Sequence, residues 1–221
     1  MICREPLQSV SRAALLDHIR AAVVPRCHAV TLHVRSADLP AEIIAAGGVD
    51  TTLAAALVVW VEQTETLDAL RPALDRLAET RQTYLLVESV MREYARIDWA
   101  EGTKSPGATL LALLRRRAGV SVAEFHALWQ QHSQLSLRIH PLTRYHRNAV
   151  VRQLDRNEPD CDGIVEERIG GLEDLAPERF YRGERAQERA IESLARYVDL
   201  AGGGLTCGLM DEYIFTRPDW L

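Results

Sequence analysis

The chain has 221 residues, 47% of them hydrophobic and 26% charged, with a formal net charge of −5. Acids and bases are interspersed, so the basic stripe that nucleic-acid binding needs is absent. The longest apolar run, Leu53–Val61, is too short to span a bilayer.

The opening residues, MICREPLQ, lack the apolar stretch of a secretion signal. Residues 1–8 are also the only segment available for a first strand. Ser11 is suited to cap a helix running to Val24, with Val10 and Leu15 as a hydrophobic staple. Strands are expected at Cys27–Arg35 and Ala54–Glu62, where β-branched and apolar residues dominate. A helix after Pro72 and a strand at Thr83–Tyr94 follow. The polar stretch Ala100–Gly107 reads as a linker. Beyond it, Thr109–Arg116 is an apolar run ending in arginines, expected as a strand. Ser121 and Glu124 make a capping box, and Val120 with Phe125 a staple, for a helix to about Ile139. Strands are expected at Tyr145–Leu154 and Cys161–Ile169, on either side of the turn-rich Asn157-Glu158-Pro159-Asp160. Pro177 suits a first helical position, and the chain is expected to be helical from about Arg185 to Leu200. Gly202-Gly203-Gly204 stops that helix, and Leu205–Thr216 is the last strand.

Four landmarks recur in the same order. Val10-Ser11-Arg12-Ala13 returns as Val120-Ser121-Val122-Ala123, and Leu67–Pro72 as Leu172–Pro177. Met91-Arg92-Glu93-Tyr94 returns as Met210-Asp211-Glu212-Tyr213, and Asp98-Trp99 as Asp219-Trp220. A diverged duplication explains this order, with a degenerate N-terminal repeat at 1–100 and a second repeat at 106–221. Each repeat reads βαββαβ, the split βαβ of ferredoxin-like folds. Such a sheet carries both helices on one side and leaves an apolar face bare. The expected fold is therefore α+β, with two ferredoxin-like repeats packed sheet to sheet into one barrel-like unit.

The second repeat resembles the EthD-type domains of the dimeric α+β barrel superfamily. The residues that carry the likeness are Val120-Ser121-x-x-Glu124-Phe125 leading into Trp129 and His132, then Arg144-Tyr145-x-x-Asn148. Asp162-Gly163-Ile164-Val165-Glu166, Leu172-x-Asp174-Leu175, Tyr197-Val198-Asp199 and Glu212 complete it, over about Thr109–Thr216. Two positions depart from the pattern. Ser133-Gln134 follows the histidine where a small residue and a proline are usual, and Ala149 follows the asparagine where a histidine is frequent. The resemblance implies a small barrel with a pocket for a hydrophobic organic molecule. Relatives in the superfamily include polyketide cyclases, cofactor-free monooxygenases and muconolactone-type isomerases.

The residues offer candidates for that pocket. Phe125, Leu128, Trp129 and His132 fall at i, i+3, i+4 and i+7 and share one helical face. His132 thus ends an apolar stripe, either as a core histidine with satisfied nitrogens or as an acid/base between helix and sheet. The matching position in the first repeat is Ala22. Glu166 is either an ion-pair partner of a neighbouring arginine or the group that orients His132. Tyr145 and Asn148 sit three apart on a strand and face opposite ways, while His146 shares the face of Asn148. Tyr145 is read as a core aromatic with a bonded hydroxyl. The candidate catalytic residues are therefore His132 and Glu166. The candidate substrate-binding residues are Phe125, Trp129, Tyr145, His146 and Asn148.

The seven histidines show no metal-ligand spacing, and the triple glycine lies after a helix, the wrong order for a phosphate loop. Neither a metal nor a cofactor is expected. Cys3, Cys27, Cys161 and Cys207 form no CxxC pair and fit free thiols in the cytoplasm. The expected partner is a small hydrophobic organic ligand, with a homodimer compatible and neither nucleic acid nor membrane. Two functions remain open, beside a purely structural role as a dimer with a filled barrel and no cavity. One is cofactor-independent proton-transfer chemistry on a carbonyl or phenolic compound: isomerisation, cyclisation, dehydration or decarboxylation. The other is a non-catalytic accessory or metabolite-binding role.

Overall fold

The computed structural model of the protein describes residues 1–3, 11–37, 50, 52–77, 81–155 and 160–216. Val10, Asp219-Trp220, residues 4–8 and Asn157–Pro159 lie outside the described residues. The first half supplies β1 (Ile2–Cys3), α1 (Arg12–Ala22), β2 (Ala29–Arg35), β3 (Ala55–Trp60), α2 (Thr66–Asp75) and β4 (Tyr84–Arg92). The second half supplies β5 (Ala108–Leu114), α3 (Val122–Ile139), β6 (Leu142–Gln153), β7 (Gly163–Ile169), α4 (Pro177–Phe180), α5 (Glu184–Ala195) and β8 (Leu205–Thr216).

The helices begin where side chains can hold the first free amides. Ser11 accepts from the Ala14 N–H at 3.2 Å, and Ser121 accepts from the Glu124 N–H at 3.2 Å. Each such cap is worth about 1 kcal/mol. One expected boundary is corrected. Helix α2 starts at Thr66 and carries Pro72 inside it, rather than beginning after that proline. An interior proline costs about 3 kcal/mol. Leu67, Leu70, Leu74 and Leu77 line one face of this segment and pack into the first-half core, and each fully buried leucine returns about 1.5–3 kcal/mol. The last long helix also stops sooner than expected, at Ala195. Tyr197 and Val198 leave it to enter the core, and Val198 bridges Arg116.

All strand pairs are antiparallel, in the order β1-β3-β2-β8-β5-β7-β6-β4. The two ends of this row meet, because Ile2 and Gln82, just before β4, exchange backbone hydrogen bonds of 2.7 and 2.9 Å. The eight strands therefore close a barrel within one chain. Each half has the ferredoxin-like order fourth-first-third-second, and the halves join where β2 meets β8 and where β6 meets β4. The expected linker is itself tied to the sheet. Gly102 and Ser105 donate their backbone N–H groups to Ile214 and Glu212 of β8 at 2.7 and 2.8 Å.

Alternation along each strand sorts side chains into the barrel interior or onto the outer, helix-covered faces. Outside the first half, Leu15 and Ile19 of α1 and Leu70 and Leu74 of α2 cover Val30, Leu32, Leu57 and Tyr213. Outside the second half, Phe125 and Trp129 of α3 pack with Tyr145, Val165, Ile169, Tyr197 and Leu209. The interior divides along its axis. One end is apolar, with Leu111, Leu113, Ile164 and Met210 meeting Ile2, Leu53 and Tyr84. The other end is charged.

Candidate functional site

The charged end of the barrel draws on strands from both halves. Arg144 of β6 donates to Glu212 at 2.9 Å and to Glu166 at 3.3 Å, and its Nε faces Glu93 at 3.4 Å. His33 of β2 meets the second Glu166 interaction, at 3.1 Å, and Asn148 donates to that carboxylate at 2.8 Å. His146 lies between Glu88 at 2.7 Å and Glu93 at 3.0 Å. Arg168 donates to Thr109 and to the carbonyls of Ser105 and Pro106, and the Tyr94 hydroxyl donates to Glu212 at 2.6 Å. Four carboxylates thus face two guanidinium and two imidazole groups in a space almost closed to water. Burial alone raises carboxyl pKa values. Here the hydrogen bond from His33 and the nearby Arg144 reverse that and hold Glu166 far below its ordinary 4.5. The same groups hold Glu212 low, and Glu88 and Glu93 pull His146 up against its desolvation. Such a set is a network of opposed charges that holds most of its own members, with His33 Nδ1 and Arg168 Nε left without a hydrogen-bond partner.

A different set occupies the layer between α3 and the sheet. His132 packs its ring 5.8 Å from that of Tyr197, and burial with the neighbouring His140 pushes its pKa down to about 4. Ser133 follows it. The Ser133 hydroxyl donates to the Trp129 carbonyl at 2.8 Å and shares a 2.8 Å hydrogen bond with Tyr145. Ser136 lies one turn beyond His132, on the same face. From the sheet, Glu167 stands opposite Tyr145 in the β6–β7 register. Burial pushes the Glu167 carboxyl up to about 7. The Ser136 hydroxyl stands near enough to temper that shift, yet closes no hydrogen bond within reach. The Glu167 charge in turn raises the phenols of Tyr145, Tyr181 and Tyr197 and the Cys207 thiol, behind the larger effect of their own burial.

This layer leaves polar atoms unpaired. His132 Nδ1, the Ser136 hydroxyl, the Tyr197 hydroxyl and Trp129 Nε1 are all buried without a protein partner. Orphaned buried groups each cost about 1–3 kcal/mol, so a cluster of them calls for a physical reason. The walls are rigid. A Cβ added at Gly163 would fall 2.5 Å from the Trp129 ring, so this strand position must be glycine for the indole to lie flat on the sheet. Arg147 stacks its guanidinium 4.4 Å from the centre of the same ring.

The sequence-derived candidates divide between the two sites. His132, Phe125, Trp129 and Tyr145 gather in the helix–sheet layer, and the Tyr145 hydroxyl is bonded. Glu166, His146 and Asn148 gather inside the barrel. The sheet stands between the two groups, so Glu166 does not orient His132. Its bonds go to His33, Arg144 and Asn148 instead. The residue that joins His132 in its layer is the next one along, Glu167. Sequence reasoning missed Glu167, Ser136 and His33. Strand alternation signals the first, because Glu167 shares the outward face with Val165. Helical offset signals the second. Nothing local signals the third, which meets Glu166 from 133 positions away.

No family model matches the chain, and no curated protein is similar to it in sequence. A crystal structure of an anthrone oxidase-like protein is similar in fold, with a TM-score of 0.60 at 9% sequence identity. The match covers 98% of this chain and 92% of that one. The fold is thus of the dimeric α+β barrel type, here made from one chain. No helix among the described residues is long and apolar enough to cross a membrane.

Proposed function

We propose that the protein binds a small, largely apolar carbonyl or phenolic compound between α3 and the sheet and moves a proton on it. The reading keeps the EthD-type resemblance of the second half as its background. The observation that carries it is the cluster of buried, unpaired polar atoms on His132, Ser136 and Tyr197 beside Glu167. A carboxyl near pH 7 is matched to both taking and returning a proton. In this scheme the Glu167 carboxylate accepts a proton from an activated C–H or O–H of the ligand. The oxygen that gains negative charge accepts hydrogen bonds from the Tyr197 hydroxyl and from His132, when Nδ1 carries the ring proton. His132, neutral because its pKa is low, acts as a hydrogen-bond donor rather than as a charge. Phe125 and Trp129 supply the apolar walls.

The fold neighbour's description suggests anthrone as a probe, since its acidic C–H needs no cofactor to ionise. Deuterium uptake by anthrone in heavy water under argon tests the scheme. The wild type should accelerate uptake with a midpoint near pH 7, while Glu167→Gln and His132→Ala lose the acceleration and keep the fold. Uptake unchanged by either substitution sinks the assignment. Binding of the probe without exchange favours the second reading, a metabolite-binding or accessory protein. A homodimer and a cytoplasmic location belong to both readings.

A further inference from the structure

An open groove of about 300 Å³ runs between α3 and α5. Leu135 lies on the α3 side, with Arg138 at its end. The other wall is one face of α5 and its C-cap, where Arg189, Glu192 and the capping Arg196 recur at i, i+3 and i+7. Three arginines against one glutamate make the groove cationic. The described structure places no carboxylate within ion-pairing distance of any of the three, whereas Arg115, Arg116, Arg144 and Arg168 all have one.

The groove also borders the site just described. On α3 its residues Leu135 and Arg138 lie three and six positions beyond His132, with Leu135 at the flank of the buried face that His132 shares. On the other wall Arg196 directly precedes Tyr197, whose unpaired hydroxyl belongs to the cluster. An opening that is cationic at its rim, has Leu135 as an apolar wall and stands in front of a layer built on Phe125, Trp129 and Tyr197 selects for a molecule with both an acidic and an aromatic character. We infer that this groove is the way into the helix–sheet site, and that Arg138, Arg189 and Arg196 select a ligand with an aromatic body and one acidic group. Guanidinium groups suit this work because they pair with planar acids through two parallel bonds. The volume lies at the lower end of the range for small-molecule pockets, which fits a body of two or three rings. The inference rests on the proposed function for the location of the site, and it adds the charge of the ligand.

Two probes separate the elements of this inference. The dye 1-anilinonaphthalene-8-sulfonate and N-phenyl-1-naphthylamine share one ring system and differ by a sulfonate. Fluorescence titration of the wild type should show the anionic dye bound at least about tenfold tighter, the scale of one or two exposed charge pairs. That preference should weaken as salt rises. In the triple variant Arg138→Gln, Arg189→Gln and Arg196→Gln it should fall to about unity, with the neutral dye unaffected. These side chains are exposed, so the variant retains the fold, which a thermal melt verifies. Equal binding of the two dyes to the wild type overturns the inference while leaving the site in place. So does a preference that survives in the triple variant. Failure of both dyes to bind at millimolar protein removes the inference and the helix–sheet site together. Tight binding of poly-L-glutamate that leaves the dye undisturbed overturns it too, and assigns the arginines to a macromolecular partner.

Discussion

Glu166 and Glu167 are adjacent on β7 and project to opposite faces of the sheet. Glu166 enters the barrel, where His33, Arg144 and Asn148 complete its bonds and keep it ionised. Glu167 enters the layer beneath α3, where its surroundings are tyrosines, serine and cysteine, and its carboxyl stays half-protonated near neutrality. The interior pairs most of its polar groups with one another, leaving His33 Nδ1 and Arg168 Nε as its exceptions. The outer layer leaves His132 Nδ1 and the hydroxyls of Ser136 and Tyr197 without a protein partner. A buried charge is structural when its partners belong to the protein, and chemical when they do not.

Breaking the interior side should have the largest effect. Arg144→Met leaves Glu166, Glu212 and Glu93 short of their shared cation, and about 3–5 kcal/mol of stability should disappear in urea unfolding at pH 7. A loss below 1 kcal/mol would mean that the network is slack. Glu166 also sets an acid limb. Its folded pKa is depressed, so its contribution is present above 4.5 and fades as pH falls below that value.

Glu167 predicts the opposite sign. Its folded pKa is raised, so the folded state holds the proton more firmly than the unfolded chain between about pH 4.5 and 7. Stability therefore falls as pH rises through that window. Glu167→Gln should stabilise the protein at pH 8 by about 2 kcal/mol, discounted for partial access to water, and should leave it nearly unchanged at pH 4.5. Destabilisation at pH 8 would show that the carboxylate is paired after all.

His132 sharpens the comparison at lower pH. Its folded pKa is depressed to about 4, so the unfolded chain binds the proton first, and stability is lost as pH falls from 6.5 towards 4. His132→Leu should reduce the stability difference between pH 8 and pH 4.5 by about 1–2 kcal/mol, with His140 supplying a similar remainder. The smallest effect is expected at Ser133. Ser133→Ala removes the partner of the Tyr145 hydroxyl and should cost about 1 kcal/mol at all pH values. A pH-dependent loss there would tie Ser133 to the titrating cluster.

The fold was largely legible because it is encoded locally. Ser11 and Ser121 announce their helices, and the apolar stretch Leu205–Thr216 follows the triple-glycine stop as a strand. Pro72 misled because a proline inside a helix has the local signature of a helix start, and only the leucines packed in the core reveal otherwise. The site was half legible. His132 stood out because an imidazole interrupts an apolar face. The choice between Glu166 and Glu167 depended on which face of β7 turns towards α3, which the alternation with Val165 signals and the pairing with Tyr145 fixes. The interior network was beyond sequence reasoning, since His33, Arg144 and Glu212 come from three strands and both halves of the chain.

Strand β8 was described above as the joint between the halves, bonded to β2 on one side and β5 on the other. It is also the last of the described strands to leave the ribosome. Until it arrives, β2 and β5 each present a bare row of amides and carbonyls, the kind of edge on which chains aggregate. Pairing Val30 with Thr216 closes a loop of nearly the whole described chain, a contact of the sort that makes β-rich proteins fold slowly. A nascent chain stalled before Leu205 would therefore be a substrate for chaperones rather than a folded half, and the barrel closes only once β8 has emerged.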